Sequence, residues 1–285
     1  MSTASTDSGS GSRPSSRPSS GPGSGPGTAG VADDLKAPER AEPKQEQQKE
    51  RQRQEVHHVV DWSRHLTKAA DGPRAYRVGG LEEKKNWPDE TWIVADLLTP
   101  AICRSLIEAA EHRGFGRTNY DPAYRGNTRL QVTDLMLAKN IWRRLRPLVP
   151  AQVERLVRKE RQLWRAVGLN ERWRLAKYWP ADRFERHIDA PFVRSPTEIS
   201  LYTVNIYLNG PDATEAGLPV FTGGATRLFT DVMAPRAPTF SVRPKPGMAL
   251  VFRQPPDRGL LHDGERVASG VKYLLRTDVM YVREV

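Results

Sequence analysis

The chain has 285 residues, 38% of them hydrophobic and 27% charged, with a formal net charge of +10. That is apolar material for one sizeable domain with an appendage, and no apolar run approaches the roughly 20 residues needed to span a bilayer. Cys103 is the only cysteine, so no intrachain disulfide can form and a reducing cytoplasm is the expected setting.

The opening stretch MSTASTDSGSGSRPSS lacks the apolar core of a secretory signal. The first 30 residues are almost entirely Ser, Gly, Pro, Thr and Ala, a composition that buries too little apolar surface to offset chain entropy. ERAEPKQEQQKERQRQE, residues 39 to 55, has no apolar face to dock. Residues 1 to 55 hold eight basic and eight acidic residues, so the excess positive charge belongs to the remainder. The expected organisation is a disordered low-complexity tail over 1–55, a linker or N-terminal extension over 56–90, and a folded domain over 91–285. Within that domain, 91–170 is expected as helical support and 171–285 as a strand-built core.

TWIVADLL (91–98) reads as a strand. TPAICRSLIEAAEHRGF then reads as a helix, with Thr99 as N-cap, Pro100 at the first helical position and Gly114 at the stop. Cys103 within it either packs against the core or offers a reactive thiol. TRLQVTDL is a short strand. MLAKNIWRRL and AQVERLVRKERQLWRAV are both expected as helices, separated by Pro147 and Pro150 and closed by Gly168. Residues 142 to 165 hold eight basic and two acidic residues. Leu148, Val149, Val153, Leu156, Val157 and Leu163 supply an apolar side there, so the charge reads as a solvated helix face. The alternative is a nucleic-acid surface, but no zinc-knuckle, RNA-recognition or helix-turn-helix signature accompanies it.

After Gly168 the pattern changes to six strand-like runs, RWRLAKYW, EISLYTVNIYLN, TRLFTD, PTFSVRP, GMALVFRQ and VKYLLRTDVMYVREV, punctuated by Gly, Pro and Asp. Helices first and short strands afterwards imply an α+β chain ending in a sandwich or small barrel. Alternation sets Thr203, Asn205 and Tyr207 on one face of TVNIYLN, and Lys272, Leu274, Arg276, Asp278 and Met280 on one face of the last run. Such polar faces either meet water or line an interior site.

Where a strand-like run meets a loop, the chain reads HIDA, residues 187 to 190. His187 and Asp189 are two apart in an extended segment, so they point the same way. Two histidines and a carboxylate on one side of a metal form the facial triad of non-haem Fe(II) oxygenases. Of the remaining histidines, His57, His58 and His65 lie in or beside the linker and His112 in the charged end of the first helix, which leaves His262 as the candidate third ligand; taken alone, His187 and Asp189 read as a structural pair instead. Lys272, ten residues beyond it, is a cation suited to the distal carboxylate of a dicarboxylate that chelates the iron.

This ordered set (KYWPADRFERHID, TVNIYLN, GGATRLF, PKPGMALVF and LLHDGERVASGVKYLLRTDVMY) resembles the prolyl-4-hydroxylase-like branch of the Fe(II)/2-oxoglutarate-dependent dioxygenases. The resemblance covers residues 91 to 284. It implies a double-stranded β-helix, a jelly roll with N-terminal supporting helices. It implies iron ligands at His187, Asp189 and His262, and a 2-oxoglutarate anchor at Lys272. Tyr178 matches a residue that hydrogen-bonds the co-substrate, Tyr207 a tyrosine that assists at the distal carboxylate, and Gly223 and Gly224 a Gly-Gly hairpin. Arg276, on the Lys272 face, is a further candidate facing either metal or substrate. Asn127 and Arg129 are candidates for the substrate entrance.

The resemblance further implies hydroxylation of an unactivated C–H bond with Fe(II), O₂ and 2-oxoglutarate, releasing succinate and CO₂, with ascorbate as a further candidate. Asp189 stands where halogenating variants carry a small residue. Substrates in the family range from protein-bound prolyl residues to amino acids and small metabolites. The rival reading is a non-catalytic metal-binding jelly-roll module recruited to an acidic partner or nucleic acid. No membrane association is expected, and the sequence leaves the oligomeric state open.

Overall fold

Among the described residues the strand-forming runs pair into two main β-sheets that face each other and a separate two-stranded sheet formed by Phe221–Gly223 and Val267–Gly270, antiparallel but for one short parallel pair. The computed structural model describes residues 90–212, 217–229, 238, 240–255 and 259–284, together with the backbone of two short strands before them. The expected tail over 1–55 lies outside the described residues, as does the expected linker except for those two strands and Glu90.

In chain order the elements are β1 (His58–Val59), β2 (Arg74–Arg77), β3 (Thr91–Ala95), α1 (Pro100–Arg113), β4 (Thr128–Thr133), α2 (Leu135–Leu145), β5 (Gln152–Val157) and β6 (Glu160–Leu169). They continue with β7 (Arg172–Tyr178), β8 (Phe184–His187), β9 (Val193–Ser195), β10 (Glu198–Tyr207), β11 (Phe221–Gly223) and β12 (Thr226–Phe229). The last are β13 (Phe240–Val242), β14 (Ala249–Arg253), β15 (Leu261–Gly264), β16 (Val267–Gly270) and β17 (Lys272–Arg283). The larger sheet runs β1-β4-β7-β17-β10-β14-β3-β2, with β6 also pairing β17, and the smaller runs β13-β12-β15-β8. From β7 onward the chain alternates between the two, with β7, β10, β14 and β17 in the larger sheet and β8, β12, β13 and β15 in the smaller. This winding is the double-stranded β-helix, or jelly roll, with helices N-terminal to it.

The strands at its centre serve two cores. Val204, Ile206 and Leu208 of the β10 segment join Leu275 and Val279 of β17 in the cluster that also takes Ile102, Cys103 and Leu106 of α1 and Leu137 and Ile141 of α2. Each such Leu or Ile contributes roughly 1.5–3 kcal/mol by leaving water. The alternate residues point between the sheets, where Tyr207, Leu250 and Phe252 meet Leu228 and Val242 of the smaller sheet. Helix α1 starts and stops as its sequence predicts: Thr99 Oγ1 accepts from the Ile102 N–H at 3.3 Å, and Gly114, at φ 84°, closes the helix by donating to Ala110 and Glu111. Cys103 is fully buried in that helix, and burial pushes its thiol up to about 12, so the packing alternative holds.

The expected helix over 151–167 is not formed. Residues 152–169 are a β-hairpin, β5 against β6, which extends the larger sheet alongside β17. Its apolar residues fit helical spacing as well as strand spacing, and tertiary pairing selects the strand. Val153 and Arg155 point inward, whereas Leu156 is 67% and Leu163 39% exposed, so the apolar side expected of the helix is divided between core and solvent. The connecting turn is Arg158-Lys159 with φ of 52° and 71°, a left-handed two-residue turn that is usually made by Asn-Gly or Asp-Gly. The dense basic stretch is partly engaged within the fold. Arg155 lies 5.0 Å over the Trp164 ring, Arg161 pairs with Glu154 at 2.6 Å, and Arg165 pairs with Glu284 at 3.3 Å.

Gly247 opens β14 at φ 75°, with its Cβ direction aimed into the backbone carbonyl of Leu98. Gly247→Ala combines left-handed strain of about 1–2 kcal/mol with that clash. A fall in melting temperature of roughly 5 °C or more is expected by circular dichroism. An unchanged melt would show that this turn rebuilds around a side chain.

Candidate active site

Strand register assembles the site between the two sheets. On the smaller sheet, His262 of β15 is the direct partner of His187 at the end of β8. On the larger, β17 presents Lys272, Leu274 and Arg276 on one face; β7 sets Tyr178, Ala176 and Arg174 beside them, and β10 sets Tyr207 and Asn205 beside Leu274 and Arg276. His187, Asp189, His262, Lys272, Arg276, Asn205 and Tyr178 line one pocket, joined by Arg125, Arg174 and Phe184. The polar strand faces therefore turn inward, away from solvent.

The two histidines are held in the same way. Nδ1 of His187 lies 2.8 Å from the carbonyl of Glu185, and Nδ1 of His262 lies 2.9 Å from that of Leu260. A carbonyl only accepts, so each Nδ1 carries the proton and each Nε2 turns its lone pair inward. Phe184 stacks on His187 at 3.6 Å, and Phe252 meets the His262 ring at 4.6 Å. Burial pushes the His262 imidazole down to about 4, against the pull of Asp189, so it is neutral at physiological pH. A neutral ring is the form that ligates a metal.

Asp189 completes the cluster. Its Oδ1 lies 3.5 Å from Nε2 of His187 and its Oδ2 3.7 Å from Nε2 of His262, and ligand atoms of all three residues fall within 4.8 Å of one another. These three residues would hold one divalent ion between them. Burial alone would raise the Asp189 carboxyl, but Arg276 and the two histidines hold it well below the usual carboxylate range. Arg276 reaches Oδ1 at 3.0 Å, and the Thr203 hydroxyl donates to Oδ2 at 2.8 Å. Behind them Gln254 donates to Thr203 at 2.8 Å and to Asp278 at 2.9 Å, and accepts from Ser200 at 2.7 Å. The carboxylate is thus aimed by a buried polar network.

Lys272 stands further along β17, buried, with its ammonium donating to the Gly224 carbonyl at 2.7 Å. Gly224 is left-handed at φ 66°, and a Cβ there would sit 3.3 Å from the Lys272 stem, so glycine allows that approach. The rings of Tyr178 and Tyr207 flank the ammonium at 5.4 and 5.6 Å. Burial pushes Lys272 down to about 8 and raises both tyrosines. Tyr207 donates its hydroxyl to Thr226 at 2.7 Å, tying the two sheets together beside the pocket. The chemistry on offer is a three-ligand metal site with a buried cation in the same pocket.

Asn127 is buried and does not line that pocket; its side-chain oxygen accepts from Nε of Arg125 at 2.8 Å. Arg129 is likewise not among the lining residues. Arg125, Arg174 and the Gln254 network escape the sequence reading. For Arg174 the alternation Arg174, Ala176, Tyr178 in RWRLAKYW was the available signal, while Arg125 sits in the irregular stretch TNYDPAYRGN with no periodicity to reveal it.

No family model and no curated protein sequence matches the chain. Among solved structures it is similar to a viral collagen prolyl hydroxylase from Paramecium Bursaria Chlorella virus-1, determined as a 2-oxoglutarate complex. That likeness has 19% identity and a TM-score of 0.44 over 68% of this chain and 97% of that one. A Pseudomonas putida prolyl-4-hydroxylase gives 15% and 0.43 over 67% and 91%. A Trichoplax adhaerens prolyl hydroxylase, bound to a peptide of the hypoxia inducible factor oxygen degradation domain, gives 13% and 0.43 over 84% and 94%. Likeness at that level is no argument for a shared activity.

Proposed function

We propose that the chain is an Fe(II)- and 2-oxoglutarate-dependent dioxygenase of the prolyl-4-hydroxylase-like branch, hydroxylating a C–H bond of an amino acid, a peptide or a small metabolite. The observation that carries this reading is the His187–Asp189–His262 cluster facing the buried ammonium of Lys272 in one pocket. Three protein ligands on one side of an ion leave the opposite side for exogenous ligands, and a carboxylate among them suits iron in the ferrous state. Iron bound there would supply the oxygen chemistry, in which 2-oxoglutarate, O₂ and R–H become succinate, CO₂ and R–OH.

The protein's own part is to bind, orient and keep dry. His187 and His262 offer Nε2 because backbone carbonyls hold their Nδ1 protons. Thr203 and Arg276 fix the rotation of the Asp189 carboxylate. Lys272 supplies one positive charge for the distal carboxylate of the co-substrate, with Tyr178 and Tyr207 enclosing that end. Phe184 and Phe252 wall the two imidazoles against water.

The decisive experiment loads the full-length protein with Fe(II) anaerobically, adds 2-oxoglutarate, admits O₂ and measures succinate. Slow succinate release without substrate, accelerated by some member of an amino-acid and peptide panel, is the expected result. Absence of succinate under all conditions, with Fe(II) bound, rejects the proposal.

A further inference from the structure

Charge within the pocket is unevenly matched. Its carboxylates are engaged: Asp189 with Arg276, and Asp263 with Arg227 through two hydrogen bonds at 2.8 and 2.7 Å. Of its cations, Arg174 and Arg276 flank Asp278, each at 3.4 Å, and Lys272 faces the co-substrate end. Arg125 is the cation left over, with no carboxylate beside it among the described residues.

Its guanidinium is nevertheless fixed. Nε donates to Asn127 Oδ1 at 2.8 Å, and Asn127, buried, is anchored in turn by donating to the Thr128 carbonyl at 2.8 Å. The plane lies 4.3 Å over the Phe184 ring and 5.2 Å over that of Tyr120. Phe184 stacks on His187, so Arg125 stands one ring away from a residue of the metal cluster. The single hydrogen bond through Nε leaves the two terminal nitrogens for a ligand, and a guanidinium fork matches a carboxylate through two parallel hydrogen bonds. A fixed, partly buried cation whose terminal donors are unspent is a binding feature for an anion.

We infer that Arg125 is the specificity residue of this site and that the substrate presents a carboxylate to it while its reacting carbon lies at the His187–Asp189–His262 cluster. This inference rests on the oxygenase reading above. The carboxylate belongs either to a free acid, such as an amino acid, or to the C-terminus of a peptide.

The test uses the full-length protein, anaerobic with Fe(II) and 2-oxoglutarate, and calorimetric binding of matched pairs. One arm compares free l-amino acids with their carboxamides, and the other compares tripeptides with free and amidated C-termini. For wild type, at least one acid is expected to bind 10-fold or more tightly than its amide, and the arm in which this occurs identifies the source of the carboxylate. In Arg125→Gln that ratio should fall to about one, and Arg125→Lys should keep part of it, since charge remains without the planar fork. Acids and amides that bind alike in wild type, undetectable binding of both included, overturn the inference, as does a full acid preference in a folded Arg125→Gln protein. If Arg125→Gln fails to fold, the wild-type and Arg125→Lys ratios decide. Failure of the oxygenase reading shows separately, as wild-type protein with no calorimetric affinity for 2-oxoglutarate.

Discussion

Replacing either histidine of the cluster, His187→Ala or His262→Ala, is expected to abolish Fe(II) binding and succinate production while the protein still folds. Each substitution removes one of three protein ligands. The loss should exceed the roughly 10–100-fold that results from removing a mere supporting hydrogen bond to a ligand. The histidines are the better targets than Asp189. Asp189→Ala would leave the Arg276 charge buried beside the gap, and breaking a buried ion pair costs about 3–5 kcal/mol in its own right. His262 is the more enclosed of the two rings, so His187→Ala should show the smaller change in melting temperature. Fe(II) affinity by anaerobic titration, with circular dichroism as the fold control, checks both. Near wild-type iron affinity in either variant would remove that residue from the ligand set.

The second large effect belongs to Lys272. Truncating one partner of a buried charged pair costs roughly 2–5 kcal/mol, so Lys272→Ala should raise the 2-oxoglutarate KM by about 30-fold or more. Fe(II) affinity should barely move, because the histidines and Asp189 are untouched. The wild-type pH profile carries its own signature. Burial lowers Lys272 to about 8, and only the charged ammonium attracts the dicarboxylate. Affinity therefore holds below that pH and falls as the pH rises through it, levelling off near the affinity of Lys272→Ala. Lys272→Arg should recover part of the affinity and flatten the alkaline loss, since a guanidinium stays charged there. A 2-oxoglutarate KM unchanged by Lys272→Ala would sink the assignment. A collapse on Arg276→Ala instead would transfer the anchor to Arg276.

Why the metal cluster is legible in the sequence and its surroundings are not is a matter of distance along the chain. His187 and Asp189 are two residues apart, so the pleat alone puts them on one side, and elimination among six histidines leads to His262. Strand alternation likewise exposes Thr203, Asn205, Tyr207, Lys272 and Arg276 as a polar face. It cannot tell which strands pair, so it cannot show that Arg276 meets Asp189 or that Gln254 meets both Thr203 and Asp278. Arg125 is further out of reach, because its position depends on a loop crossing over Phe184. The hairpin over 152–169 is missed for a different reason. Arg158-Lys159 makes a left-handed turn without glycine or asparagine, and Val153, Leu156, Val157 and Leu163 are spaced for either structure. Pairing with β17 settles a choice that local propensity leaves balanced.

Strand β10 lies at the middle of the larger sheet, with β17 on one side and β14 on the other. Val204, Ile206 and Leu208 pack toward the helices, whereas Asn205 lines the pocket, Thr203 holds Asp189 and Tyr207 packs between the sheets. Two kinds of selection thus act on consecutive residues of a single segment. In a library of variants across 203–208, changes at Val204, Ile206, Tyr207 and Leu208 would lower protein abundance, whereas changes at Thr203 and Asn205 would also alter the lining and support of the pocket.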